Sequence, residues 1–82
     1  MVMTYTIIYE KISDSSFPEG YYYAHIPSFD LTTHGLEIEG AKKAAQELLK
    51  IWIEEKRTNG EKIPEEKESF YSKIEIQDAL FS

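Results

Sequence analysis

The sequence predicts an α+β domain of order β-β-β-α-β. A three-stranded antiparallel meander packs on one long helix, and a short fourth strand returns to the sheet. Two observations carry that prediction. Thr, Tyr and Ile dominate residues 3–12 and 21–27, whereas from residue 38 apolar residues recur at three- and four-residue steps. Turn formers separate the first two runs by too few residues for a parallel crossover.

The first strand is expected within MTYTIIYEKI, residues 3–12, with Thr6 and Ile8 on one face and Tyr5, Ile7 and Tyr9 on the other. SDSSFPEG, residues 13–20, is a turn cluster ending in Gly20. YYYAHIP, residues 21–27, follows as the second strand. Tyr22, Ala24 and Ile26 share one face and Tyr21, Tyr23 and His25 the other, and Pro27 ends the strand. DLTTH, residues 30–34, suits a short third strand before Gly35.

The helix is expected over residues 38–58. Ile38, Ala41, Ala45, Leu48, Leu49 and Trp52 form its apolar stripe, and Trp52 is assigned to the core; Ile51 and Ile53 flank the stripe. Gly40 costs up to about 1 kcal/mol against Ala in a helix. Asn59-Gly60 supplies a C-cap, with Lys56 and Arg57 in the last turn where the dipole favours cations. Residues 60–70 read as a charged, solvated connector, YSKIEIQ at 71–77 as the fourth strand, and 78–82 as a tail. Residues 1–82 thus form one domain, with no internal repeat.

A chain of 82 residues builds one small core and buries only about 60% of the surface its unfolded chain exposes. Domains of this size often add disulfides, a metal or a second subunit. There is no Cys and there are two His, so disulfides and an all-protein zinc site are not expected and homo-oligomerisation is. The formal charge of −6 opposes approach to a phosphate backbone and favours a basic protein partner. Direct DNA binding is therefore not expected. No apolar run reaches bilayer length and no signal-peptide pattern opens the chain, so a cytoplasmic protein without membrane contact is expected.

Residues 4–66 resemble the HicB antitoxin family. The matching pieces are YTIIYEK, GYYYAHIPSF, TTHG, AKKAAQELLKIWIEE and NGEKIPEE. Tyr22, Ala24, Ile26 and Pro27 fit the family's aromatic-Ala-β-branched-Pro pattern. Thr33-His34-Gly35 fits its Thr-x-Gly, Ile51-Trp52-Ile53 its Leu-aromatic-Leu step, and Gly60 and Pro64 its Gly and Pro after the helix. The resemblance implies a partial RNase H-like fold, oligomerisation, and neutralisation of HicA, a small basic toxin that cleaves messenger RNA. The sequence departs from the family at Phe29-Asp30-Leu31, where a Pro-Gly-Cys turn is common. It departs again at Leu36-Glu37, where the family has Thr and Asp to cap the helix. The residues after Gly60 have no second helical period, so the DNA-binding module of complete antitoxins is not expected.

No catalytic residue and no cofactor are expected. An RNase H-like nuclease needs carboxylates converging on metal ions. Glu10, Glu47 and Asp78 make such a trio imaginable, but chance supplies one among 15 acidic residues. Neither His25 nor His34 has a nucleophile tied to it by spacing. The Tyr residues would suit base stacking only with interleaved Lys or Arg, and Lys11 alone is close. A partner or self-interface is assigned instead to Tyr5, Ile7, Tyr9, Tyr21, Tyr23 and His25, because Tyr offers apolar area with a polar tip.

Overall fold

A computed structural model describes residues 3–66 and 72–77. Its elements run β1 (Ile8–Lys11), β2 (Tyr21–Ile26), a 3-10 turn at Pro27–Phe29, β3 (Leu31–Leu36) and α1 (Glu37–Thr58). The strands form one antiparallel sheet of order β1-β2-β3, as the turn spacing requires. Registers are set by Tyr9 opposite Ala24 and by Ala24 opposite Thr33. The Ile12 N–H donates to the Tyr21 carbonyl at 3.0 Å and extends the first pairing by one residue. In the turn after β1, Asp14 accepts the Ser16 N–H at 2.6 Å, and the Ser16 side chain and then this N–H hold its carboxyl below the usual range.

The third strand is longer than expected and includes Gly35. A Cβ built on Gly35 would lie 2.4 Å from the Gly40 carbonyl carbon, inside contact distance. The strand therefore continues through Gly35 because the first turn of α1 crosses directly over it. Glu37 makes the junction in a left-handed conformation, φ 58°, and its N–H donates to the Gly20 carbonyl at 2.6 Å. No side chain caps the helix start. The C-terminus has the expected stop: Gly60 is left-handed, its N–H donates to the Arg57 carbonyl, and the Glu61 N–H donates to that of Lys56. These are the two bonds of a Schellman cap.

Ala24 and Ile26 from β2 and Ala41 and Ala45 from α1 are fully buried and form the core. Ile7, Tyr9, Tyr22, Phe29, Leu31, Leu48 and Leu49 pack around them. Two members of the expected stripe lie outside this core. Ile38 is 48% exposed at the helix start, and Trp52, assigned to the core, is 38% exposed. For Trp52 the reason is length. A helix of 22 residues runs about 33 Å at 1.5 Å per residue, whereas a strand of six residues spans about 20 Å. The helix overshoots the sheet beyond Leu49.

The segment after the helix differs from expectation in two ways. Residues 61–66 of the expected connector are docked, with Ile63, Pro64 and Glu66 half-buried. Residues 72–77 form no strand, and among the described residues the sheet has three strands. Alternation gives a segment one apolar face, but pairing also needs an edge within reach and a surface for that face. Here Ile74 and Ile76 are each 78% exposed. Tyr71 and the expected tail at 78–82 lie outside the described residues.

Candidate functional site

The helix covers one face of the sheet and leaves the other open, and the strand registers decide which side chains appear there. Opposite residues share a face. Ile8 stands opposite His25, Glu10 opposite Tyr23, Tyr23 opposite His34, and His25 opposite Thr32. The outward face is thus Ile8 and Glu10 on β1, Tyr21, Tyr23 and His25 on β2, and Thr32, His34 and Leu36 on β3.

Phe17 completes it from the loop between β1 and β2. Its ring lies 4.9 Å from that of His34 in an edge-on contact, 5.8 Å from Tyr21 and 6.1 Å from Tyr23. Such pairs favour edge-on and offset geometries and add about 0.5–1.5 kcal/mol each beyond burial. A tilted contact at 5.8 Å continues the row from Tyr23 to His25.

His25 ties the three strands together. Its Nε2 lies 3.0 Å from Glu10 Oε1 and its Nδ1 3.0 Å from Thr32 Oγ1. A carboxylate only accepts, so Nε2 carries the proton towards Glu10, and in the neutral ring Nδ1 accepts from the Thr32 hydroxyl. Carboxylate, imidazole and hydroxyl follow the order of an acid–base relay. The side chains of His25 and Glu10 are nevertheless 35% and 64% exposed on an open sheet face. The three side chains link β1, β2 and β3 across this face.

The six residues assigned to an interface therefore divide between the two faces. Tyr21, Tyr23 and His25 lie together on the outward face. Tyr9, opposite Ala24, and Ile7 pack against the core beneath the helix, and burial raises the Tyr9 phenol pKa. Tyr5 packs edge-on against Phe29 at 5.1 Å and donates to the Pro64 carbonyl. Period alone gives two faces per strand; pairing them across strands needs the register, which a one-residue shift inverts. Phe17, Glu10, Thr32 and His34 join the outward group without having been assigned to it. The signal for Phe17 was present, an aromatic among turn formers four residues before Tyr21. Glu10 faces outward and Glu47 is exposed on the helix that covers the opposite face, so the two cannot share a cation. Asp78 lies outside the described residues.

A second polar site fixes the segment after the helix. Glu66 accepts the Thr6 N–H at 2.6 Å, the Thr6 hydroxyl, and the Ser28 hydroxyl at 3.1 Å. The Thr6 hydroxyl and then its N–H hold the Glu66 carboxyl below its usual range, against the opposing effect of burial. Burial, with Glu65 and Glu66 nearby, raises the Tyr5 phenol pKa. Beside this anchor, Met3, Tyr5, Gln46, Leu49, Lys50 and Ile53 line a shallow groove of about 270 Å³.

Among the described residues no helix is long and apolar enough to cross a membrane. No protein-family model matches the chain, and neither the curated proteins nor the solved structures give a match.

Proposed function

We propose that this chain is a HicB-like antitoxin domain, a cytoplasmic, non-catalytic protein that blocks a small basic HicA-type ribonuclease by direct contact. The observation that carries the reading is the uncovered sheet face, where Phe17, Tyr21, Tyr23 and His34 form one aromatic group beside the Glu10–His25 pair. Half-exposed aromatics of this kind suit the centre of a protein interface.

Charge supports the sign of the partner. Five acidic and five basic residues cancel within the helix, whereas the rest of the chain has ten acidic against four basic. Glu10, Asp14 and Glu19 place part of that excess on β1 and on the loop that carries Phe17. Such a field speeds the approach of a basic protein. The order β-β-β-α agrees with the first four elements that the HicB resemblance implies, and the partial RNase H-like assignment is part of the proposal.

A second reading is an orphan HicB-like module that self-associates and has no toxin partner. Ile51, 62% exposed beside Trp52 on the helix, favours it. Co-expression with a HicA-type toxin from an adjacent reading frame separates the two. Growth is expected to recover with the native chain and to fail with Tyr21→Ser/Tyr23→Ser, which should weaken binding at least tenfold while leaving the circular dichroism unchanged. No recovery with both native proteins soluble would overturn the antitoxin reading in favour of the orphan module.

A further inference from the structure

Asn59-Gly60 stops the helix, and the same dipeptide carries a covalent reaction that the cap controls. The Gly60 backbone nitrogen can attack the Asn59 side-chain carbonyl carbon, closing a five-membered ring. The new N–C bond forms, the side-chain amide leaves as ammonia with the proton of the Gly60 nitrogen, and a succinimide results. Water then opens one or other carbonyl of that ring. The product is aspartate or, with the main chain routed through the former side chain, isoaspartate. Glycine obstructs such an attack least, since it has no side chain beside its nitrogen. Both residues are exposed, and a Cβ built on Gly60 would meet no described atom within 4 Å. Asn59 is the one asparagine of the chain.

The folded geometry restrains this reaction. Ring closure brings the Asn59 Cβ and the Gly60 nitrogen into eclipse about the Cα–C bond, whereas Asn59 has ψ 2°, which holds them apart. The nucleophile is also occupied, because the Gly60 N–H donates to the Arg57 carbonyl at 3.1 Å. Turning ψ breaks that bond and the 2.8 Å bond from the Glu61 N–H to the Lys56 carbonyl. It also swings residues 61–66, which Glu66 ties to Thr6 and Ser28 and which Tyr5 holds at Pro64. We propose that Asn59 is a site of slow self-modification to aspartate and isoaspartate, gated by the Schellman cap and by the Glu66 anchor. An exposed helix end opens locally at far lower free energy than the whole fold, so the folded chain reacts at a reduced rate. The product cannot rebuild the native cap. Aspartate puts a charge at the negative end of the helix dipole. Isoaspartate adds a methylene to the main chain, which moves the Gly60 and Glu61 N–H groups away from the Arg57 and Lys56 carbonyls. The site is independent of any toxin.

The test keeps the native chain in neutral buffer beside the same chain unfolded in guanidinium. Amide loss is followed by peptide mass mapping, and isoaspartate is labelled by an isoaspartyl methyltransferase. Both samples are expected to convert at Asn59, the native one about tenfold more slowly, because the rate follows the population of the open cap. Glu66→Ala removes the anchor and leaves Asn59 and Gly60 in place. With unchanged circular dichroism it is expected to convert about two- to tenfold faster than the native chain, the effect of one net hydrogen bond. Tyr5→Phe, which removes only the bond to Pro64, is expected to act in the same direction and serves if Glu66→Ala does not fold. A native chain that converts as fast as the unfolded one overturns the proposal. So does one that keeps Asn59 intact after about a hundred unfolded-state half-lives, or a folded anchor variant that converts at the native rate.

Discussion

The two ends of α1 meet the rest of the molecule in different ways. At the N-terminal end the helix touches backbone: Gly35 lies under Gly40 and Ala41, and Ala41 and Ala45 are fully buried against Ala24 and Ile26. At the C-terminal end it carries larger residues and buries them less, with Ile51 and Trp52 exposed and Leu48, Leu49 and Ile53 half-buried. Small residues let two elements approach closely, and large ones cover area only where something faces them. The first end holds the fold, and the second leaves apolar surface exposed.

The sharpest way to break that difference is to widen the close approach. Gly35→Ala puts a Cβ 2.4 Å from the Gly40 carbonyl carbon and 2.5 Å from the Ala41 nitrogen, both backbone atoms that cannot rotate away. Overpacking of this kind costs about 3 kcal/mol, a large share of the roughly 5 kcal/mol margin of a small domain. Urea denaturation is expected to show that loss. A change below about 0.5 kcal/mol would mean that the helix does not sit on Gly35.

Gly40→Ala tests the other side of the same contact and should have the opposite sign. Its Cβ would meet Gly35 and Leu36 at 3.5–3.7 Å, ordinary contact distances. Ala outranks Gly within helices by up to about 1 kcal/mol. Near the first turn the expected gain is about 0.5 kcal/mol, a rise of roughly 2–4 °C in Tm. A destabilised Gly40→Ala protein would mean that both glycines are required.

These two glycines also mark what could be read in the sequence. Gly35 looked like the end of a strand and Gly40 like a flaw in a helix, because propensity treats each residue alone. Their shared contact exists only once strand and helix cross. Period-two and period-3.6 patterns located β2, β3 and α1 to within a residue or two, since burial of one face acts along the whole element, but they began the first strand at residue 3, whereas β1 runs only over Ile8–Lys11. The same patterns placed Trp52 in the core because a stripe has no information about where the sheet stops. They grouped Tyr5, Ile7 and Tyr9 with Tyr21, Tyr23 and His25, although register, not period, decides which faces meet. They made 71–77 a strand without showing what it would pair with. The Glu66 anchor left no trace in the pattern, since one carboxylate in a charged stretch looks like any other until Thr6 and Ser28 surround it.

That anchor is the weakest link in the comparison and the most sensitive to pH. It holds residues 61–66, which follow the loosely covered end of the helix, through Glu66 on Thr6 and Ser28 and through Tyr5 on Pro64. Its hydrogen bonds favour the charged carboxylate, so its pKa is lowered in the folded chain, against about 4.3 when unfolded. The contribution is therefore complete above the unfolded value and is lost as pH falls through the lowered one. The Thr6 amide proton, which donates to this carboxylate, is expected to titrate by NMR with a midpoint below the ordinary Glu value. Glu66→Gln should abolish that titration and leave the amides of Ala24 and Ala45 unmoved, because the anchor lies outside the core. A midpoint at or above the ordinary Glu value would mean that Thr6 does not hold Glu66 in solution, and the segment after the helix would then depend on the Tyr5–Pro64 bond alone.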